Sequence, residues 1–103
     1  MGGRTEEYLE KVRKNPADTL ARYVLAKDLH DQGRHDEAVV EFRELVRRKP
    51  DWMKAWIHLG QALRVLGRQD EARPAIEQAL ALAEAQHHEG PADELRELLR
   101  TIG

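Results

Sequence analysis

The sequence predicts an all-α domain made of antiparallel helix pairs, about six helices in all, and three observations predict it. The composition favours helices, with Ala, Leu, Glu, Arg and Gln abundant and Val and Ile sparse. The chain matches itself at an offset of 34 residues: Leu25 falls on Leu59, Ala26 on Gly60, Leu29 on Leu63, Gly33-Arg34 on Gly67-Arg68, and Asp36-Glu37-Ala38 on Asp70-Glu71-Ala72. Finally, Gly and Pro punctuate the apolar periodicity at the points where short helices should turn. At 103 residues the chain is one domain with a modest core.

Taken in order, residues 4–14 form an N-terminal capping helix. Tyr8 stands 34 residues before Phe42, so this helix matches the second half of a repeat whose first half is missing, and Asn15-Pro16 matches Lys49-Pro50. The first repeat spans 17–50. Asp18 is placed to cap a helix carrying Leu25, Ala26 and Leu29 on one face, and Gly33 ends it as the left-handed residue past its terminus. Asp36 is then expected to cap a helix carrying Ala38, Val39, Phe42, Leu45 and Val46, which Pro50 stops. The second repeat spans 51–84. Asp51 is expected to cap a helix carrying Trp52, Met53, Trp56, Leu59, Gly60, Leu63 and Leu66, with Gly67 turning the chain again. The next helix, with Asp70 as the expected cap, should lose a hydrogen bond or bend at Pro74 and run through Ala85 until Gly90-Pro91 breaks it. Residues 91–102 close the stack, with Leu95, Leu98, Leu99 and Ile102 as the apolar stripe. Ala26, Gly60, Ala38, Ala72 and Ala79 are small enough to let paired helices approach closely.

The spacing resembles that of the tetratricopeptide repeat, W-x2-L-G-x2-Y, then A-x3-F, then P. The second unit carries Trp56-x2-Leu59-Gly60-x2-Leu63 and Ala72-x3-Ile76. The first carries Arg22-x2-Leu25-Ala26-x2-Leu29, Ala38-x3-Phe42 and Pro50. Leu replaces the signature Tyr in both units, the first lacks the Trp, and Glu84 stands where the second unit's Pro would be. The resemblance implies helix-turn-helix repeats stacked as a short right-handed α-superhelix. It also implies a protein-protein interaction module whose first helices line a concave groove for a partner's peptide or helix.

Helical phase then assigns the groove residues: Tyr23, Val24, Lys27 and His30 on the first such helix, beside Leu20 and Asp31, and Lys54, Ile57, His58, Gln61 and Arg64 on the second. Tyr23, Val24 and Ile57 rimmed by Lys27, Lys54 and Arg64 suit an acidic-apolar segment. In the competing arrangement Leu20, Val24 and Ile57 pack against a neighbouring capping helix and the charges are a solvated surface. Some members of the resembled family hold chaperone C-terminal carboxylates in a Lys/Asn clamp. Tyr23, Lys27 and His58 stand at the clamp positions here, so that mode is not expected. A rival to groove docking is homo-oligomerisation by end-to-end stacking, giving a homodimer.

No catalytic residue, cofactor or metal site is expected. Cys and Ser are absent, which removes thiolate ligands and both common nucleophiles, and the aliphatic hydroxyls are Thr5, Thr19 and Thr101. His30 and His58 can face each other across the groove. His30 and His35 are separated by the Gly33 turn, and His87-His88 diverge on any helix, so surface histidines are the expectation. A net charge of -2 and a pI near 6.2 give no concentrated positive field for nucleic acid or an anionic membrane. Arg47-Arg48-Lys49 complements a helix C-terminus. No run reaches the roughly 18–20 apolar residues of a membrane span, and residues 1–15 lack a signal peptide's apolar stretch, so a cytoplasmic location is expected. Glu6 stands where Met1-Gly2 myristoylation wants Ser or Thr.

Overall fold

The computed structural model describes residues 3–102, which form six helices and, among those residues, no strand. They are α1 (Gly3–Lys14), α2 (Thr19–Asp31), α3 (His35–Arg48), α4 (Met53–Val65), α5 (Gln69–Ala85) and α6 (Glu89–Thr101). Each helix packs on the next in sequence, and α2 also touches α4, giving an elongated stack of 38 × 27 × 20 Å.

Two kinds of turn connect the helices. Between α1 and α2 and between α3 and α4 the chain makes a four-residue turn with Pro at its second position. Asp18 N–H donates to the Asn15 carbonyl at 3.0 Å, and Trp52 N–H to the Lys49 carbonyl at 3.1 Å, with Pro16 and Pro50 supplying the fixed φ. The other kind closes a helix on a left-handed residue. Gly33 (φ 79) and Gly67 (φ 76) occupy it after α2 and α4, and the following amides reach back, Arg34 N–H to Leu29 C=O at 2.8 Å and Arg68 N–H to Leu63 C=O at 2.9 Å. The same turn joins α5 to α6, with His88 N–H donating to Ala83 C=O at 2.8 Å, but the left-handed residue there is His87 (φ 61).

These turns correct several expected boundaries. Asp18 does cap α2, accepting from Ala21 N–H at 3.0 Å. Asp36, Asp70 and Asp51 do not cap their helices: the N-caps of α3, α5 and α4 are Arg34, Arg68 and Trp52, none with a side-chain cap bond. In the left-handed turn the residue that bonds back to the old helix is also the cap of the new one, so α3 and α5 start before their aspartates. Asp36 and Asp70 sit in the first turn instead, where a carboxylate complements the positive helix end. Gly90-Pro91 is not the break after α5. The chain turns at Gln86–His88, and both residues lie in the first turn of α6, where Pro forfeits no needed N–H. α5 runs unbroken through the exposed Pro74.

The repeat holds in the core. Leu25 and Leu59 are 1% and 2% exposed, and Phe42, Ile76, Ala26, Ala38 and Ala72 are fully buried. Gly60 is required where α4 meets α5: a Cβ built there would stand 2.5 Å from Ile76 Cγ1. Ala92, Leu95 and Ile102 of the closing segment are buried against Ile76, Ala79 and Ala83, with Leu98 and Leu99 half-buried beside them.

Arg22 occupies the place of Trp56 and is itself buried. Trp56 Nε1 donates to the Pro50 carbonyl at 2.8 Å, while the Arg22 guanidinium donates to the Pro16 carbonyl at 3.1 Å and to Glu41 Oε1 at 2.6 Å. Two chemically unlike side chains thus tie the same helix to the same turn.

Candidate functional site

α2 and α4, the first helices of the two hairpins, lie in contact and present the residues assigned to the groove. At its centre is an aromatic cluster. The Tyr23 ring lies 4.8 Å from that of Trp52 at 30°, 5.6 Å from His58, and 6.3 Å from Phe42 with its edge toward that ring. His58 stacks on Phe42 at 5.6 Å and 19°. Such contacts fix ring positions, leaving Tyr23, Trp52 and His58 half-buried over the fully buried Phe42.

Cations surround this floor. Lys49 Nζ lies 5.4 Å over the Trp52 ring, and Lys27 pairs with Asp31 at 3.8 Å. Burial pushes His58 below its ordinary 6.5; Lys27, His30 and Lys54 act in the same direction and Gln61 against it. Burial likewise raises the Tyr23 hydroxyl above its ordinary value. His58 is therefore a neutral ring at pH 7 facing three groups that oppose its charging.

The other assigned residues are less central. Val24 borders a cleft of about 300 Å³ between α1 and α2 with Tyr8, Lys11, Asp18, Leu20 and Ala21. Leu20 is 67% exposed at its mouth. Ile57 turns the other way, half-buried against the α5–α6 cluster. Arg64 is exposed on the last turn of α4. His30 and His35, expected to be held apart, meet: their Nδ1 atoms are 2.8 Å apart, because the left-handed turn at Gly33 folds the start of α3 back beside the end of α2.

Sequence reading missed Trp52 and Lys49. Trp52 counted as an apolar helix position and Lys49 as a terminal charge, yet the Pro50 turn places Trp52 beside Tyr23 and Lys49 over the Trp52 ring. The repeat offset held the signal, since Trp52 falls on Asp18, a position just outside the helix. Among the described residues no group of three or more His, Asp or Glu could hold a metal ion, and no helix is long and apolar enough to cross a membrane.

Comparison with known proteins decides the family: the tetratricopeptide repeat model matches residues 6–51 and 23–87. The chain belongs to the tetratricopeptide repeat family. It is a protein-interaction module of that fold, and α2–α3 and α4–α5 are its two tandem repeats. No curated protein matches it. Among solved structures it is similar to a tetratricopeptide repeat domain protein from Salinibacter ruber, at 27% identity and TM-score 0.75 over 85% of this chain and 89% of that one. It is also similar in fold to the TPR2B domain of yeast Sti1 in complex with pHsp70, at 17% identity and TM-score 0.84 over 95% of this chain and 78% of that one. PcrH in complex with the chaperone-binding region of PopD gives 19% identity and TM-score 0.88 over 95% of this chain and 74% of that one.

Proposed function

We propose that the face shared by α2 and α4 docks an acidic-apolar peptide or helical segment of another protein, without catalysis. The observation that carries this reading is the half-buried aromatic floor of Tyr23, Trp52 and His58 ringed by Lys27, Lys49 and Lys54. A preformed floor with fixed rings limits the entropy lost on binding, and cations at the rim select acidic neighbours of an apolar anchor. The two complexes of similar fold, with pHsp70 and with the chaperone-binding region of PopD, lend support by architecture.

End-to-end stacking of copies has less behind it. In α1, Arg4 and Lys11 stand where the first repeat has the buried Ala38 and Leu45, so that end is polar. In α6, Asp93, Glu94, Arg96, Glu97 and Arg100 are exposed. Both ends carry the polar outer surface of a capped stack.

The test is selection from a displayed random peptide library. Enriched sequences should place Asp or Glu next to Leu, Phe or another apolar anchor. Tyr23→Ala and Lys54→Glu should each weaken the best peptide about tenfold, the scale of one good interface contact. Selection of basic sequences, or equal binding by both variants, would overturn the assignment.

A further inference from the structure

His30, in the last turn of α2, and His35, the first residue of α3, come together across the Gly33 turn. Their Nδ1 atoms are 2.8 Å apart and their ring centroids 4.6 Å apart, with the rings inclined at 65°. The second hairpin has Arg64 and Gln69 at the corresponding positions, so the pair belongs to this turn alone among the two repeats.

Two imidazole nitrogens bound to one ion at about 2.0–2.1 Å stand about 2.9 Å apart at a right-angled bond angle and about 3.4 Å apart at a tetrahedral one. The observed separation matches the right-angled case. The centroid distance agrees: a collinear N–H···N bond between these atoms would hold the centroids about 5 Å apart, whereas adjacent ligation would hold them about 4.5 Å apart. The two Nδ1 atoms are thus spaced as adjacent ligands of one ion would be.

We infer that His30 and His35 form a two-imidazole site for a divalent transition ion of square-planar or tetragonal preference, Cu²⁺ foremost and Ni²⁺ after it. With no third side chain in a metal-holding group among the described residues, water fills the remaining positions, and the ion is exchangeable rather than structural. Ligation through both Nδ1 atoms requires both rings to carry their proton on Nε2. The ring that now donates from Nδ1 passes that proton to solvent and takes one back at Nε2, so a neutral pair binds the ion with no net proton release. A bound ion would staple the end of α2 to the start of α3.

The test is titration of the untagged chain with Cu²⁺, read by electron paramagnetic resonance and by the thermal midpoint. The expected result is one equivalent of Cu²⁺ with hyperfine coupling to two imidazole nitrogens and a raised midpoint. His30→Gln and His35→Gln should each weaken binding tenfold or more and remove the midpoint shift, while His87→Gln with His88→Gln leaves both unchanged. Wild-type affinity in the first two variants, or loss of binding in the His87/His88 pair, would overturn the site. The unmodified chain supplies a second check that is independent of how the variants fold: its Cu²⁺ spectrum must carry coupling to two imidazole nitrogens, and a spectrum with one imidazole nitrogen or none would also overturn the site.

Discussion

Arg22 shows how one repeat can keep a contact while changing its chemistry. Where the second hairpin has the half-buried indole of Trp56 and the buried Ala75, the first sets a guanidinium against Glu41, and the offset of 34 maps one pair of positions onto the other. The ionic version is the more costly arrangement. Arg22 is 8% exposed, its Nε has no hydrogen-bond partner, and two charges have left water for a single 2.6 Å pair. Removing one partner strands the other, so Glu41→Ala should cost about 3 kcal/mol in urea unfolding. Combining it with Arg22→Trp transplants the second repeat's solution and should restore the stability to within about 1 kcal/mol of the unmodified chain, or exceed it. A double variant as unstable as Glu41→Ala alone would show that position 22 needs the charge. Position 22 was legible in the sequence only as a missing Trp. The substitution works because a guanidinium can donate to the Pro16 carbonyl as an indole N–H donates to that of Pro50.

At the scale of the elements, the helices were legible and their ends were less so. Apolar spacing marks the faces that bury Leu25, Phe42, Leu59 and Ile76, because burial is repeated every turn and tolerates no shift of phase. A cap is a single residue, and three of four expected aspartate caps fell inside or before their helices because backbone turn geometry decided the start. The α5–α6 turn was the least legible, since it uses a left-handed residue without glycine. Its amides reach back in the pattern seen at Gly33 and Gly67, yet His87 holds φ 61, a conformation in which a side chain crowds the backbone. His87→Gly removes that crowding at the expense of a more flexible unfolded chain, so the net gain should be about 0.5–1 kcal/mol, or a few degrees in thermal midpoint for a chain of this length. Gly33→Ala, making the reverse change at the matching position, should lower the midpoint by a similar amount. An unchanged or lower midpoint for His87→Gly would mean that the imidazole makes compensating contacts.

For the whole molecule, the 34-residue offset made the architecture legible, whereas the face that binds depended on which residues the turns bring together. His58 illustrates the difference: its helical phase is visible in the sequence, but its place between Phe42, Tyr23, Lys27 and Lys54 is a product of three helices. That place sets two pH dependences of opposite sign. In the folded chain His58 titrates below 6.5, as does His30, while in the unfolded chain both titrate near 6.5. The unfolded state therefore binds more protons as the pH falls through 6.5, and the stability present above that value is lost progressively below it. Glu44, held down to about 2 by hydrogen bonds from Arg47 and Arg48, acts in a separate window: its contribution is present above the ordinary carboxylate value of 4.5 and fades below it. An acidic segment lying over Tyr23 and Trp52 would favour the charged form of His58, so peptide affinity should rise between pH 7 and pH 5.5 even as the free chain becomes less stable. His58→Gln should flatten the affinity profile and shallow the loss of stability, leaving His30 to account for what remains. Urea midpoints and peptide titrations at pH 7.5, 6.5 and 5.5 measure both slopes on the same protein. An affinity that drops as the pH is lowered from 7 to 5.5 in the unmodified chain would place the ligand's carboxylates away from His58.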